Sequence, residues 1–139
     1  MQVSAHQQLL HTQLATMRFE RLQSVATNVV KSALLALPQE IRDEAAECRI
    51  EFCEMDALID IDEDLDPDLL GLFEGNARCD PLPESPDEMP RIRLFLDNLW
   101  DDCNGDLPTY RDEVRITFLH ELGHYLGLDE DQVAELGLA

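Results

Sequence analysis

Positive charge is scarce in this chain: ten Lys and Arg stand against thirty Asp and Glu in 139 residues, a formal net charge of −20. Phosphate backbones are held by clustered basic side chains, so a nucleic-acid partner is excluded. The acidity fits solubility or a basic protein partner. There is no run of 18 apolar residues, so no membrane span is expected. The opening stretch, MQVSAHQQLLHTQLATMRFERL, lacks a basic region followed by an apolar block, and no signal peptide is read from it. Cys48, Cys53, Cys79 and Cys103 form no CxxC pair. Without a secretory signal they read as reduced thiols, and the expected location is cytoplasmic.

What the chain does contain is enough apolar material for a core. Its 45% hydrophobic content is that of a globular protein despite the charge. The length suits one domain: residues 1–17 read as an N-terminal arm or helix extension, and residues 18–139 as a single domain. In residues 18–37, Phe19, Leu22, Ala26, Val29, Ala33 and Leu37 recur at helical spacing until Pro38 stops the pattern, which predicts a long helix packed on a sheet. His6 and His11 precede it at a spacing of five, poor for a shared helix face, and read as solvated.

Two segments alternate as half-buried strands do: CRIEFCE at residues 48–54 and RIRLFL at residues 91–96. Between them lie about thirty-five residues rich in Asp, Glu, Pro and Gly, a length that marks a functional or mobile loop. A short strand at residues 57–61 is expected to interrupt it.

The most informative stretch is HELGHYLGLDE, residues 120–130. On a helix, His120 and His124 stand one above the other, at the i, i+4 separation that lets two ring nitrogens reach one metal ion. Zinc takes neutral imidazole at about 2.0 to 2.1 Å, and a catalytic site has three protein ligands with a position left for water. Glu121, beside the pair, is placed to take a proton from that water and hand it to a leaving amine. At about 100° per residue, Val114, Phe118, Leu119, Leu122, Tyr125 and Leu126 fall on one arc and Glu113, Thr117, His120, Glu121 and His124 on the other. The helix is expected to begin near Pro108 or Thr109 and to end at Gly127, where a C′ residue needs positive φ. Asp129 and Gln132 then form a capping box for a last short helix ending near Leu136.

The third ligand follows from that reversal. In the spacing HExxHxxGxx plus one ligand, the last position is Glu130. Asp129 and Asp131 are the alternatives, and Asp129 has the competing task of capping.

HELGHYLGLDED, taken with GLFEG at residues 71–75, RIRLFLDNLW and YRDEVRITFLHELGHYLGLDEDQV, resembles the zincins, and within them the small bacterial zincin-like metallopeptidases called minimal zincins. The similarity covers most of residues 19–136. It implies an α+β fold: a small mixed β-sheet, a long backing helix and an HExxH active-site helix below the sheet. It also implies zinc held by His120, His124 and an acidic third ligand, with Glu121 as general base. The metzincin pattern differs, having a third histidine where Glu130 stands and a later methionine turn that this chain lacks. By the same resemblance RIRLFL is an edge strand that pairs with an extended peptide substrate, with an ordinary sheet strand as the alternative.

Other motifs read more plainly. An EF-hand loop starting at Asp60 fails because Leu65 and Gly71 stand where Gly and Glu are needed. The run DALIDIDEDLDPDLLG therefore reads as a solvated acidic loop. Cys79 and Cys103 have no ligand partner at close spacing, and Trp100 and Phe95 read as packing residues. Three function classes remain: a zinc peptidase working by Glu121-assisted attack of water, a non-catalytic metal-binding regulator, and a metal-free acidic interaction module.

Overall fold

The computed structural model describes residues 5–77 and 89–135, except for the side chains of residue 8 and residues 10–17. The His11 side chain, Cys79 and the end of the last helix near Leu136 lie outside the described residues. In chain order the elements are α1 (Ala5–Leu35), α2 (Gln39–Ala45), β1 (Arg49–Cys53), α3 (Met55–Leu58), β2 (Gly71–Glu74), β3 (Arg91–Phe95), α4 (Leu96–Asp102), α5 (Leu107–Tyr125) and α6 (Glu130–Glu135). The strands form one mixed sheet in the order β1-β3-β2, with β1 parallel and β2 antiparallel to β3. The α+β architecture expected from the sequence is the one observed.

The α1 helix buries Leu22, Ala26, Val30 and Ala33, an i, i+4, i+8, i+11 stripe. It starts far upstream of residue 18, and its stripe rests chiefly on α5 and α4 rather than on the sheet. Tyr110 of α5, fully buried, donates its hydroxyl to the Leu22 carbonyl at 2.9 Å and fixes the crossing.

The RIRLFL segment is not at an edge. β3 is the central strand: Ile50, Ile92 and Phe73 form one cross-strand row, and Phe52, Leu94 and Gly71 the next. The apolar side chains of these rows belong to the main core with α5 and α4. The opposite face is covered as well. Phe95, Met55 and Leu65 form a second small core with Leu58, Ile59, Leu69 and Leu72 packed against it. Alternation predicts one solvated face, but the acidic segment folds back and dries the Phe95 end of that face. At the other end Arg91 and Arg93 pair with Glu51 and Glu74 at 3.1 to 3.5 Å. Arg91, Glu51 and Glu74 are half-buried and still reach water, so the pairs they form add little stability; Arg93, 8% exposed, is the buried member.

The acidic segment is thus structured where a solvated loop is expected, and residues 57–61 are not a strand. α3 ends at Leu58 and is followed by turns. Its cap is remote: the buried Asp97 carboxylate accepts from the Met55 N–H at 2.9 Å and the Asp56 N–H at 3.1 Å. Next door, Asn98 donates to the carbonyls of Pro67 (2.7 Å) and Leu69 (2.8 Å). Two adjacent polar residues at the start of α4 therefore hold both ends of the segment that leads into β2. No helix among the described residues is long and apolar enough to cross a membrane.

Removing the Asp97 carboxylate leaves two amides at the α3 N-terminus without their acceptor. Asp97→Ala is expected to cost about 2 kcal/mol or more in thermal or denaturant unfolding. Asp101→Ala, at an exposed position on the same helix, is expected to stay within about 0.5 kcal/mol. Equal stability of the two variants contradicts the tether.

Candidate metal site and cleft

The helix that carries the motif is set at both ends by its own sequence. Asp106 caps α5, accepting from the Thr109 N–H at 3.2 Å and from the Thr109 hydroxyl, bonds that hold its carboxyl below the ordinary value. Pro108 sits in the first turn, where its missing N–H is no loss. At the other end Gly127 adopts φ 72°. The Leu128 N–H reaches the Gly123 carbonyl at 3.0 Å and the Gly127 N–H reaches the His124 carbonyl at 3.1 Å, the double bond pattern of a Schellman cap. The capping box follows: Asp129 Oδ1 accepts from the Gln132 N–H at 2.8 Å and Gln132 Oε1 from the Asp129 N–H at 2.9 Å.

Between these caps α5 has two faces. Tyr110, Val114, Phe118, Leu119, Leu122 and Tyr125 are buried. Glu113, Thr117, His120 and Glu121 are half-buried and His124 is exposed. The two imidazoles meet edge to face, planes 85° apart, and their Nε2 atoms approach to 3.2 Å. Two nitrogens bound tetrahedrally to one zinc at about 2.0 to 2.1 Å stand about 3.3 Å apart. The pair is therefore already at the spacing a shared ion requires. Glu121 completes the cluster, and the ligand atoms of His120, Glu121 and His124 all lie within 4.8 Å of one another.

The acidic residues of the reversal stand apart from that cluster. Glu130 is the first residue of α6 and is exposed, as are Asp129 and Asp131. None of the three belongs to the group. Asp129 is committed to the cap.

Beside His120 opens a cleft of ≈450 Å³. One wall is α5, from Glu113 to Glu121; the other is the entry to β2, Leu70 and Gly71. A Cβ on Gly71 would lie 2.6 Å from Thr117 Cγ2, so glycine is what lets strand and helix approach this closely. The strand flanking the cleft is thus the edge strand β2, and RIRLFL lies one strand further in. Sequence reasoning misses β2 as a strand because three residues between two glycines show no alternation to detect.

Residues 45–138, well over half of the chain, match the family model of the zincin-like metallopeptidases. The chain belongs to that family. Comparison with curated proteins gives no significant match. In this zincin-like chain the donor set suits a borderline divalent ion: two imidazoles and a carboxylate on a helix face that opens into a cleft.

The glycine inside the motif has a separate task. A Cβ on Gly123 would meet Val133 Cγ2 at 2.7 Å, so α6 is held against α5 only because this position is bare. Valine is β-branched and cannot easily swing clear. Gly123→Ala gains up to about 1 kcal/mol of helix propensity but overpacks by about 1 to 3 kcal/mol. A net loss of stability is expected on chemical denaturation, with Gly123→Ala/Val133→Ala more stable than the two single losses add up to. Strict additivity would show that the contact is not tight.

Proposed function

We propose that the protein is a zinc-dependent peptidase that cleaves peptide or protein substrates in the cleft beside α5. The observation that carries this reading is the 3.2 Å approach of His120 Nε2 and His124 Nε2 on one helix face. His120 and His124 hold the ion, and Glu130 is the third ligand. Zinc bound there supplies Lewis acidity, which polarises the scissile carbonyl and acidifies water. The Glu121 carboxylate takes the proton of the attacking water and returns it to the nitrogen of the leaving amine.

Glu130 is preferred over its neighbours because the Asp129 carboxylate already accepts the Gln132 N–H. The Gly123–Val133 contact supports it by keeping the first turn of α6 close to the histidine-bearing end of α5. The reading requires the Glu130 carboxylate to come within ligand distance when the ion binds. β2 pairs only with β3, so its outer backbone edge has no strand partner among the described residues. An extended peptide adding there gains main-chain hydrogen bonds along the cleft wall.

A reducing, cytoplasmic setting belongs to the same proposal. Among the described cysteines, Cys48, Cys53 and Cys103 are free thiols, and burial pushes the Cys48 thiol up to about 12. That protonated thiol is an inert packing group.

The wild-type protein is expected to bind one zinc ion and to cleave members of a peptide library. Glu121→Gln is expected to keep the zinc and lose at least about 10²-fold in turnover, while His120→Ala and His124→Ala lose the ion. Glu130→Ala is expected to weaken zinc binding more than Asp129→Ala does. Zinc retained by Glu121→Gln with no cleavage by either protein favours a metal-binding regulator. Failure of the wild type to take up zinc at neutral pH removes both readings.

A further inference from the structure

The cleft has a second polar end that the proposed chemistry does not use. Glu113 precedes His120 by seven residues on α5, two turns and about 10 Å along the axis on the same face. Between them lie Ile116, 43% exposed although large and apolar, and Thr117, with Leu70 and Gly71 opposite. Glu113 is half-buried in this wall, and its carboxylate makes no hydrogen bond or ion pair with any described residue. Arg111 and Arg115, two residues to either side, project from other faces of the helix and do not pair with it.

The sequence of surfaces along the cleft is therefore site, apolar strip, unpaired carboxylate. Lysine and arginine side chains have the complementary build, a stem that lies along apolar surface and a charged head that seeks a polar partner. We infer that the cleft is a specificity pocket for a cationic residue of the substrate, its stem against Ile116 and Leu70 and its head on Glu113. This rests on the peptidase reading and names the substrate class of the same site. A neutral aliphatic residue fills the strip but leaves the carboxylate unanswered. An acidic residue meets like charge. The overall charge of −20 brings cationic chains toward the surface, while Glu113 decides which residue of such a chain is held where.

The test reads binding as well as cleavage. Fluorescein-labelled alanine–serine hexapeptide amides carry lysine, norleucine or glutamate as a single guest, scanned along the chain. Their affinities are measured by anisotropy with a chelator present, so that nothing is cut, for wild type, Glu113→Gln, Glu113→Lys and the exposed control Asp112→Asn. At one guest position the wild type is expected to favour lysine over norleucine by about five- to tenfold, the size of one partly screened ion pair in a cleft. That preference falls to about twofold or less in Glu113→Gln, turns toward glutamate in Glu113→Lys and survives in Asp112→Asn. Lysine favoured equally at every position, or a preference that persists in Glu113→Gln, overturns the pocket. With zinc restored, cleavage is expected next to the same lysine. The position-specific preference without cleavage by the zinc-loaded protein keeps the pocket and removes the peptidase, so the two failures are told apart.

Discussion

The α5 helix has to be dry on one side and wet on the other, and the remaining structure depends on how that is achieved. Its buried residues, Tyr110 through Tyr125, anchor it to α1, α4 and the sheet. Only with that face locked can the half-buried His120 and the exposed His124 hold their Nε2 atoms 3.2 Å apart. Two imidazoles at this distance gain little from each other and a great deal from a cation between them. The core thus supplies in advance the ordering that a metal site needs.

Two missing side chains set how closely the neighbours of α5 approach. Gly71 admits Thr117 and makes the edge strand a wall of the cleft. Gly123 admits Val133 and draws α6, with its acidic first turn, up to the histidine-bearing end. A Cβ at either glycine would come within 3.0 Å of a β-branched side chain, so any larger residue forces that neighbour to move. The segment leading to β2 is held in turn by Asp97 and Asn98, four hydrogen bonds from two residues at the start of α4. The geometry of the cleft is therefore set partly by residues that never face it.

Much of α5 and its surroundings is legible in the sequence because the signals are local. The two-faced pattern, the Gly127 stop and the Asp129–Gln132 box each depend on residues within one or two turns, and each appears where the sequence places it. What fails is non-local. Residues 57–61 look like a strand, but their neighbourhood is capped by a carboxylate some forty positions away. The alternation of RIRLFL suggests one solvated face, yet Phe95 is as buried as Ile92 because the acidic segment returns over the second face. The edge strand itself, GLFE, is too short to carry a period. The helical spacing places Glu113 on the correct face of α5, but only the fold shows the cleft that gives it a neighbour.

The proposed chemistry requires that His120 and His124 share a zinc ion completed by oxygen and not by sulfur. X-ray absorption at the zinc edge of the zinc-loaded protein reads this directly. A four-coordinate shell at about 2.0 to 2.1 Å containing two imidazoles is expected, the other donors being oxygen. Sulfur scattering at about 2.3 Å, or a shell with fewer than two imidazoles, contradicts it.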